Sequence, residues 1–121
     1  MRYTLMMAVA ALVVATPAIA EEWDFILTNQ SGKEIKLIEL APTGTTTWQK
    51  NKAEEGIRRT ETLANAARMT VHFERENNQC RFDIRATFAD DTTAVWANVN
   101  VCDDSYITLR YRNGAPVATG D

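Results

Sequence analysis

Two cysteines, one histidine and two pairs of adjacent aspartates are the side chains of this 121-residue sequence with chemistry to offer. Cys80 and Cys102 invite either a disulfide or a metal. Two isolated cysteines make a poor metal set, and a pair in an oxidising compartment reads as a structural disulfide. His72 is the only histidine, which leaves no multi-histidine metal centre and no Ser-His-Asp triad with a spare. A general base needs a nucleophile within hydrogen-bond reach, and none is evident, so His72 reads as a surface or hydrogen-bonded residue. Asp90-Asp91 and Asp103-Asp104 would recruit calcium only if the fold joined them. Calcium takes six to eight oxygens and no loop of the DxDxDG kind is present, so both pairs read as turn residues. No catalytic residue, metal ligand or cofactor is assigned.

Recognition has better candidates. Arg81, Asp83 and Arg85 make a charged stripe at alternate positions, read either as a solvated face with cross-strand pairs or as a surface for an anionic group or partner protein. Trp48 follows a flexible Thr-rich loop and reads either as an exposed binding anchor or as a plug for one end of the fold.

Around these residues the chain has two parts. Residues 1–20 carry Arg2, an apolar run from Leu5 to Ala15 and the small-x-small triplet Ala18-Ile19-Ala20, the pattern of a signal peptide cleaved after Ala20. That run is too short to span a bilayer and no other stretch is apolar enough, so no membrane span is expected after cleavage. Cleavage would leave 101 residues, the 121 less the 20 of the leader, enough for one domain with a modest core. Losing Arg2 reduces the 13 basic residues to 12 against 16 acidic ones, a net charge of −4 with His neutral. That balance argues against nucleic acid or an anionic membrane as partner.

Residues 21–121 read as strands. Trp23, Phe25 and Leu27 share one face of the first, and Gln30 to Lys33 is a turn. Glu34 to Leu40 is a second strand in which Ile38 and Leu40 break the alternation set by Ile35 and Leu37, so a bulge lies near Ile38 or both faces are covered there. Ala41 to Thr47 is a loop, Gln49 to Gly56 a polar run able to form one helical turn, 58–63 a stretch able to form an edge strand, and Leu63 to Ala67 a connection. Strand character returns at Arg68 to Glu74 and again at Tyr106 to Tyr111, while Arg112 to Asp121 is expected to end loosely.

The organising element is the hairpin from Cys80 to Cys102. Cys80, Phe82, Ile84, Ala86 and Phe88 alternate with polar residues, and the chain reverses at residues 89–92. A loop at 90–92 would set Phe88 opposite Ala94, Ala86 opposite Trp96, Ile84 opposite Asn98, Phe82 opposite Asn100 and Cys80 opposite Cys102. It would also set Val101, Val99 and Ala97 against the charged stripe. Six or seven short strands with polar turns and no long helix predict an all-β domain, a small antiparallel β-sandwich or partly open barrel with one disulfide.

Phe25-x-x-x-Asn29-x-x-Gly32-x-x-Ile35, Trp48, Cys80-Arg81-Phe82-Asp83-Ile84 and Trp96-x-x-x-Asn100-x-Cys102 together resemble a family of small exported bacterial β-proteins of unknown function. The resemblance covers most of residues 21–121. Asp90-Asp91 departs from the Asp-Gly the family pattern implies there, which implies a longer or bulged loop. Some members carry an automatic label of argininosuccinate lyase. Such lyases are large helical tetramers with active sites joined from several subunits, parts that about a hundred strand-rich residues cannot supply. The resemblance therefore implies an address and an architecture and transfers no catalytic residue.

The expected function is a non-enzymatic binding module of the bacterial periplasm, acting on another protein or an envelope component. The alternatives are a calcium-dependent or enzymatic module built on the acidic turns, and a structural accessory of an envelope complex.

Overall fold

A computed structural model describes residues 21–51, 62–76 and 78–121. The leader, most of the polar run after Trp48 and most of the expected 58–63 edge strand lie outside the described residues. Within them the chain is all strand: β1 (Glu21–Gln30), β2 (Ile35–Pro42), β3 (Gln49–Lys50), β4 (Arg68–Arg75), β5 (Arg81–Phe88), β6 (Thr93–Asn100), β7 (Tyr106–Arg112) and β8 (Ala115–Gly120). They form two four-stranded sheets, ordered β4-β1-β7-β8 and β3-β2-β5-β6. The expected sandwich is present, with eight described strands and no closure into a barrel. Every pairing is antiparallel except β1 with β7, which run parallel from Ile26 beside Tyr106 to Gln30 beside Arg110. Among the described residues no helix is long and apolar enough to cross a membrane.

Alternation decides which side chains fill the space between the sheets. Phe25 and Leu27 point inward from β1, Val71 and Phe73 from β4, Phe82, Ile84, Ala86 and Phe88 from β5, and Ile107 and Leu109 from β7. Phe73 joins the layers, edge-on to Phe25 at 5.7 Å within its own sheet and to Phe82 at 5.3 Å across the core. Edge-to-face contact places the positive ring edge on the negative ring face, and such pairs contribute about 0.5–1.5 kcal/mol beyond burial. Trp96 closes the other side: its indole Nε1 donates to the Arg110 carbonyl at 3.1 Å and its ring meets Tyr111 at 5.5 Å.

Among the described residues Asn29 is the one fully buried polar side chain, and all of its capacity is used. Its Nδ2 donates to the carbonyls of Lys33 and Leu63, at 2.7 and 3.0 Å, while Oδ1 accepts from the Ser31 amide and hydroxyl, at 3.1 and 2.6 Å. One amide thus ties the β1–β2 turn to the connection before β4. Gly32 in that turn has φ +87°, a conformation open to glycine at no steric cost.

In β2 the expected irregularity is a bulge between Ile35 and Leu37. It turns Ile35 and Ile38 both inward, leaves Lys36 exposed and puts Leu37 half-buried, so the expected pairing of Ile35 with Leu37 on one face is corrected. The chain end is corrected too. Asn113 and Gly114 have φ +52° and +78°, the two positive values of a tight hairpin turn, and Ala115–Gly120 returns along β7 as a strand where a loose end was expected.

Cys80 and Cys102 are bonded, with Cα atoms 5.2 Å apart. The register between them differs from the expected one. Thr87 faces Thr93, Ala86 faces Ala94 and Ile84 faces Trp96, two residues from the expected partners; Phe82 faces Val99, one residue away. The Phe88 amide donates to the Thr92 carbonyl and the Asp91 amide to the Phe88 carbonyl, so the loop is Ala89-Asp90-Asp91 with Asp91 left-handed at φ +67°. A bulge then sets Asp83 against both Ala97 and Asn98, with Asn98 at φ +57°. Beyond the bulge the register sets Arg81 opposite Asn100 and the Val101 amide donates to the Cys80 carbonyl, so Cys102 stands one residue past the position facing Cys80 and within bonding reach of it. The bulge is why Val99 and Val101 enter the core in place of Asn98 and Asn100.

Candidate functional site

The residues singled out for recognition fall on the outer face of the β2–β5–β6 sheet, and the structure divides them into two groups. Asp83 and Arg81 serve the bulge. Asp83 Oδ1 accepts the Asn98 amide at 2.9 Å and the Thr43 hydroxyl at 3.1 Å, and an Arg81 Nη donates to the Asn98 carbonyl at 3.4 Å. Arg85 and Trp48 come together. The Arg85 guanidinium lies over the Trp48 ring, 4.1 Å from its centroid, and donates twice to Glu39 Oε1, at 3.0 and 3.2 Å. In register, Glu39, Arg85 and Val95 form one row across three strands. Val99 and Val101 are buried, so the expected facing of the stripe by Val101 and Val99 is corrected.

The packing explains the arrangement. Glu39 sits in the apolar run Leu37-Ile38-Glu39-Leu40-Ala41, points outward, and is only 12% exposed in its side chain. A carboxylate that shielded requires a cation, and the planar fork of arginine meets it while its other face stacks on indole. Cation–aromatic contact contributes roughly 0.5–2 kcal/mol depending on exposure. The Thr-rich loop is tied down at several points: the Thr43 amide donates to the Arg81 carbonyl, the Thr45 amide and hydroxyl fold back on the Pro42 carbonyl, and the Trp48 amide donates to Thr46. Trp48 is half-buried, and Val95, in the same row as Arg85, is exposed. A cleft of about 430 Å³ lined by Pro42, Thr45, Thr47, Gln49, Glu74 and Gln79 opens on the far side of the same loop.

Sequence reasoning missed Glu39, although a lone carboxylate inside an apolar strand was the available signal. It also missed Gln49 and Asn51. The Gln49 side chain exchanges two bonds with the Glu74 backbone, at 2.8 and 2.9 Å, and Asn51 accepts the His72 amide at 2.8 Å. These amides stand in for a neighbouring strand along the outer edge of β4 and join the two sheets there.

Most of the titratable candidates have structural partners. His72 Nδ1 lies against Asp24 Oδ1 on the outer face of the other sheet, the two being register partners. Asp91 pairs with Lys36. The Asp90 carboxyl is pulled down from 3.8 to about 2, first by the Thr92 hydroxyl, then by the Lys33 ammonium at 3.1 Å and the Thr92 amide. Asp103 accepts from Asn100 at the opposite end of the hairpin. Among the described residues no group of three or more His, Cys, Asp or Glu side chains is placed to hold a metal.

No protein-family model matches the chain, and no curated protein does. Its fold is similar to that of a protein from Eubacterium rectale solved by NMR, with a TM-score of 0.54 and 14% identity over 83% of this chain and 88% of that one. At such identity the likeness speaks for the fold alone. What fold and site define together is a disulfide-bonded all-β sandwich carrying a stacked Trp–Arg–Glu group on one face.

Proposed function

We propose that this protein is exported to the bacterial periplasm, loses residues 1–20 there, and acts without catalysis by binding another protein or an envelope component through the face that carries Trp48 and Arg85. It would belong with the small exported β-proteins its sequence resembles. The observation that carries the reading is the half-buried Trp48 held against Arg85, which is itself held by Glu39. A ring fixed before contact loses little freedom on binding, and aromatic and arginine side chains dominate the energetics of protein interfaces. The disulfide fits an oxidising compartment, and the Asp90-Asp91 turn that would favour a cation is occupied by Lys33, Lys36 and Thr92.

Affinity capture from a periplasmic extract tests it. Wild-type protein is expected to retain a partner that Trp48→Ala loses, with both proteins showing the same cooperative melt. Equal recovery by the two, or none above an empty resin, contradicts the reading.

A further inference from the structure

The outer face of the β4–β1–β7–β8 sheet has a charge order that the binding face on the other sheet does not share. At one end of β1 lie Glu22 and Asp24. At the other end, beyond Gln30, the parallel neighbour β7 carries Arg110, level with Gln30, and then Arg112. Between them β1 and β7 are uncharged, Ile26 lying level with Tyr106 and Thr28 with Thr108, while β4 adds Glu74 level with Glu22 and His72 against Asp24 at the acidic end and Arg68 level with Thr28 towards the basic one. Tyr106, at 48%, is the most exposed of the large hydrophobic residues noted on this surface. Among the described residues no hydrogen bond or ion pair engages the side chains of Glu22, Arg110 or Arg112, and Arg110 Nε is shielded without an acceptor.

We propose that this face binds a second copy of the same chain, around a two-fold axis lying in the interface and running across the strands. Only that axis superposes the strands antiparallel while keeping β1 over β1 and β7 over β7, and it turns the acidic end of each copy onto the basic end of the other. Centred between the Ile26 and Thr28 levels, it places Ile26 over Thr28 and Tyr106 over Thr108 of the second copy. Asp24 then comes level with Arg110 and Glu22 with Arg112, twice over. An axis parallel to the strands would stack like charge on like, so the charge order selects the antiparallel pairing. Four strands ~4.8 Å apart and about eight residues long present on the order of 500 Å². That is the size of a reversible contact rather than an obligate one, so association in the micromolar range is expected.

The test is sedimentation of protein expressed from the full coding sequence, compared with two surface variants: Arg110→Glu with Arg112→Glu, and Glu22→Lys with Asp24→Lys. Wild type is expected to pass from one to two chains per particle as concentration rises through the micromolar range, less readily at high salt. Each variant, acid against acid or base against base, is expected to stay single while keeping a cooperative melt. An equimolar mixture of the two restores opposite charges at both ends and is expected to regain the paired mass. A wild type that remains single to several hundred micromolar, variants that pair as wild type does, or a mixture that stays single overturns the proposal. None of these outcomes depends on Trp48, so capture through the other sheet stands or falls separately.

Discussion

Asp91 occupies the one left-handed position of a three-residue hairpin loop, where glycine has no side chain to strain. A β-carbon at φ +67° costs about 0.5–1 kcal/mol for a residue as tolerant as Asp, more than its exposed pair with Lys36 returns. Asp91→Gly is therefore expected to raise the melting temperature by roughly 2–4 °C. Asp90, one position earlier, governs acid behaviour. Its folded pKa of about 2 lies below the ordinary 3.8, so the stabilisation it brings is complete above about pH 4 and lost as pH falls towards 2. Asp90→Asn is expected to lower stability at neutral pH and flatten the pH dependence across that window; unchanged slopes in acid titrations followed by circular dichroism would contradict this. Asn29 is the costly position. Replacing it with Ala removes the partner of two carbonyls and a buried amide network, an expected loss of roughly 2–4 kcal/mol in urea denaturation.

At the scale of the element, the Cys80–Cys102 hairpin and the β3 crossing decide how the sheets hold. In the chain-entropy account, closing a loop of this length stabilises by roughly 3 kcal/mol, so Cys102→Ser is expected to lose about that much and to lose binding only as a consequence. Gln49→Ala with Asn51→Ala uncovers the outer edge of β4. An unprotected edge strand recruits other chains, so the double variant is expected to show a small drop in melting temperature and a marked rise in light scattering on heating. The hairpin also shows what the sequence could reveal. Side chains repeat every second residue, so a register wrong by two leaves every inward residue inward, and the hydrophobic pattern cannot detect the error. The Asp83–Asn98 bulge was visible, because the apolar positions switch from even to odd between Trp96 and Val99. Asn113-Gly114 likewise announced the last hairpin, and its short, weakly apolar strand masked the signal. The parallel contact of β1 with β7 and the meeting of Trp48 with Arg85 arise only when distant segments pack, and no local pattern encodes them.

For the molecule as a whole, most of the residues that the sequence pattern singles out have a structural task, and Trp48 is the one proposed for binding. Phe25, Ile35 and Trp96 are core, Asn29 and Gly32 shape a turn, the cysteines bond, and Asn100 accepts the amides of Cys102 and Asp103. The proposed function requires this scaffold to be made and used outside the cytoplasm. Intact mass of the protein recovered from a periplasmic extract, with and without reduction before alkylation, tests this most directly. A chain beginning at Glu21, unmodified until reduced and then alkylated at both cysteines, is the predicted result. A chain that keeps Met1, remains with the cytoplasmic fraction and alkylates without reduction would contradict it.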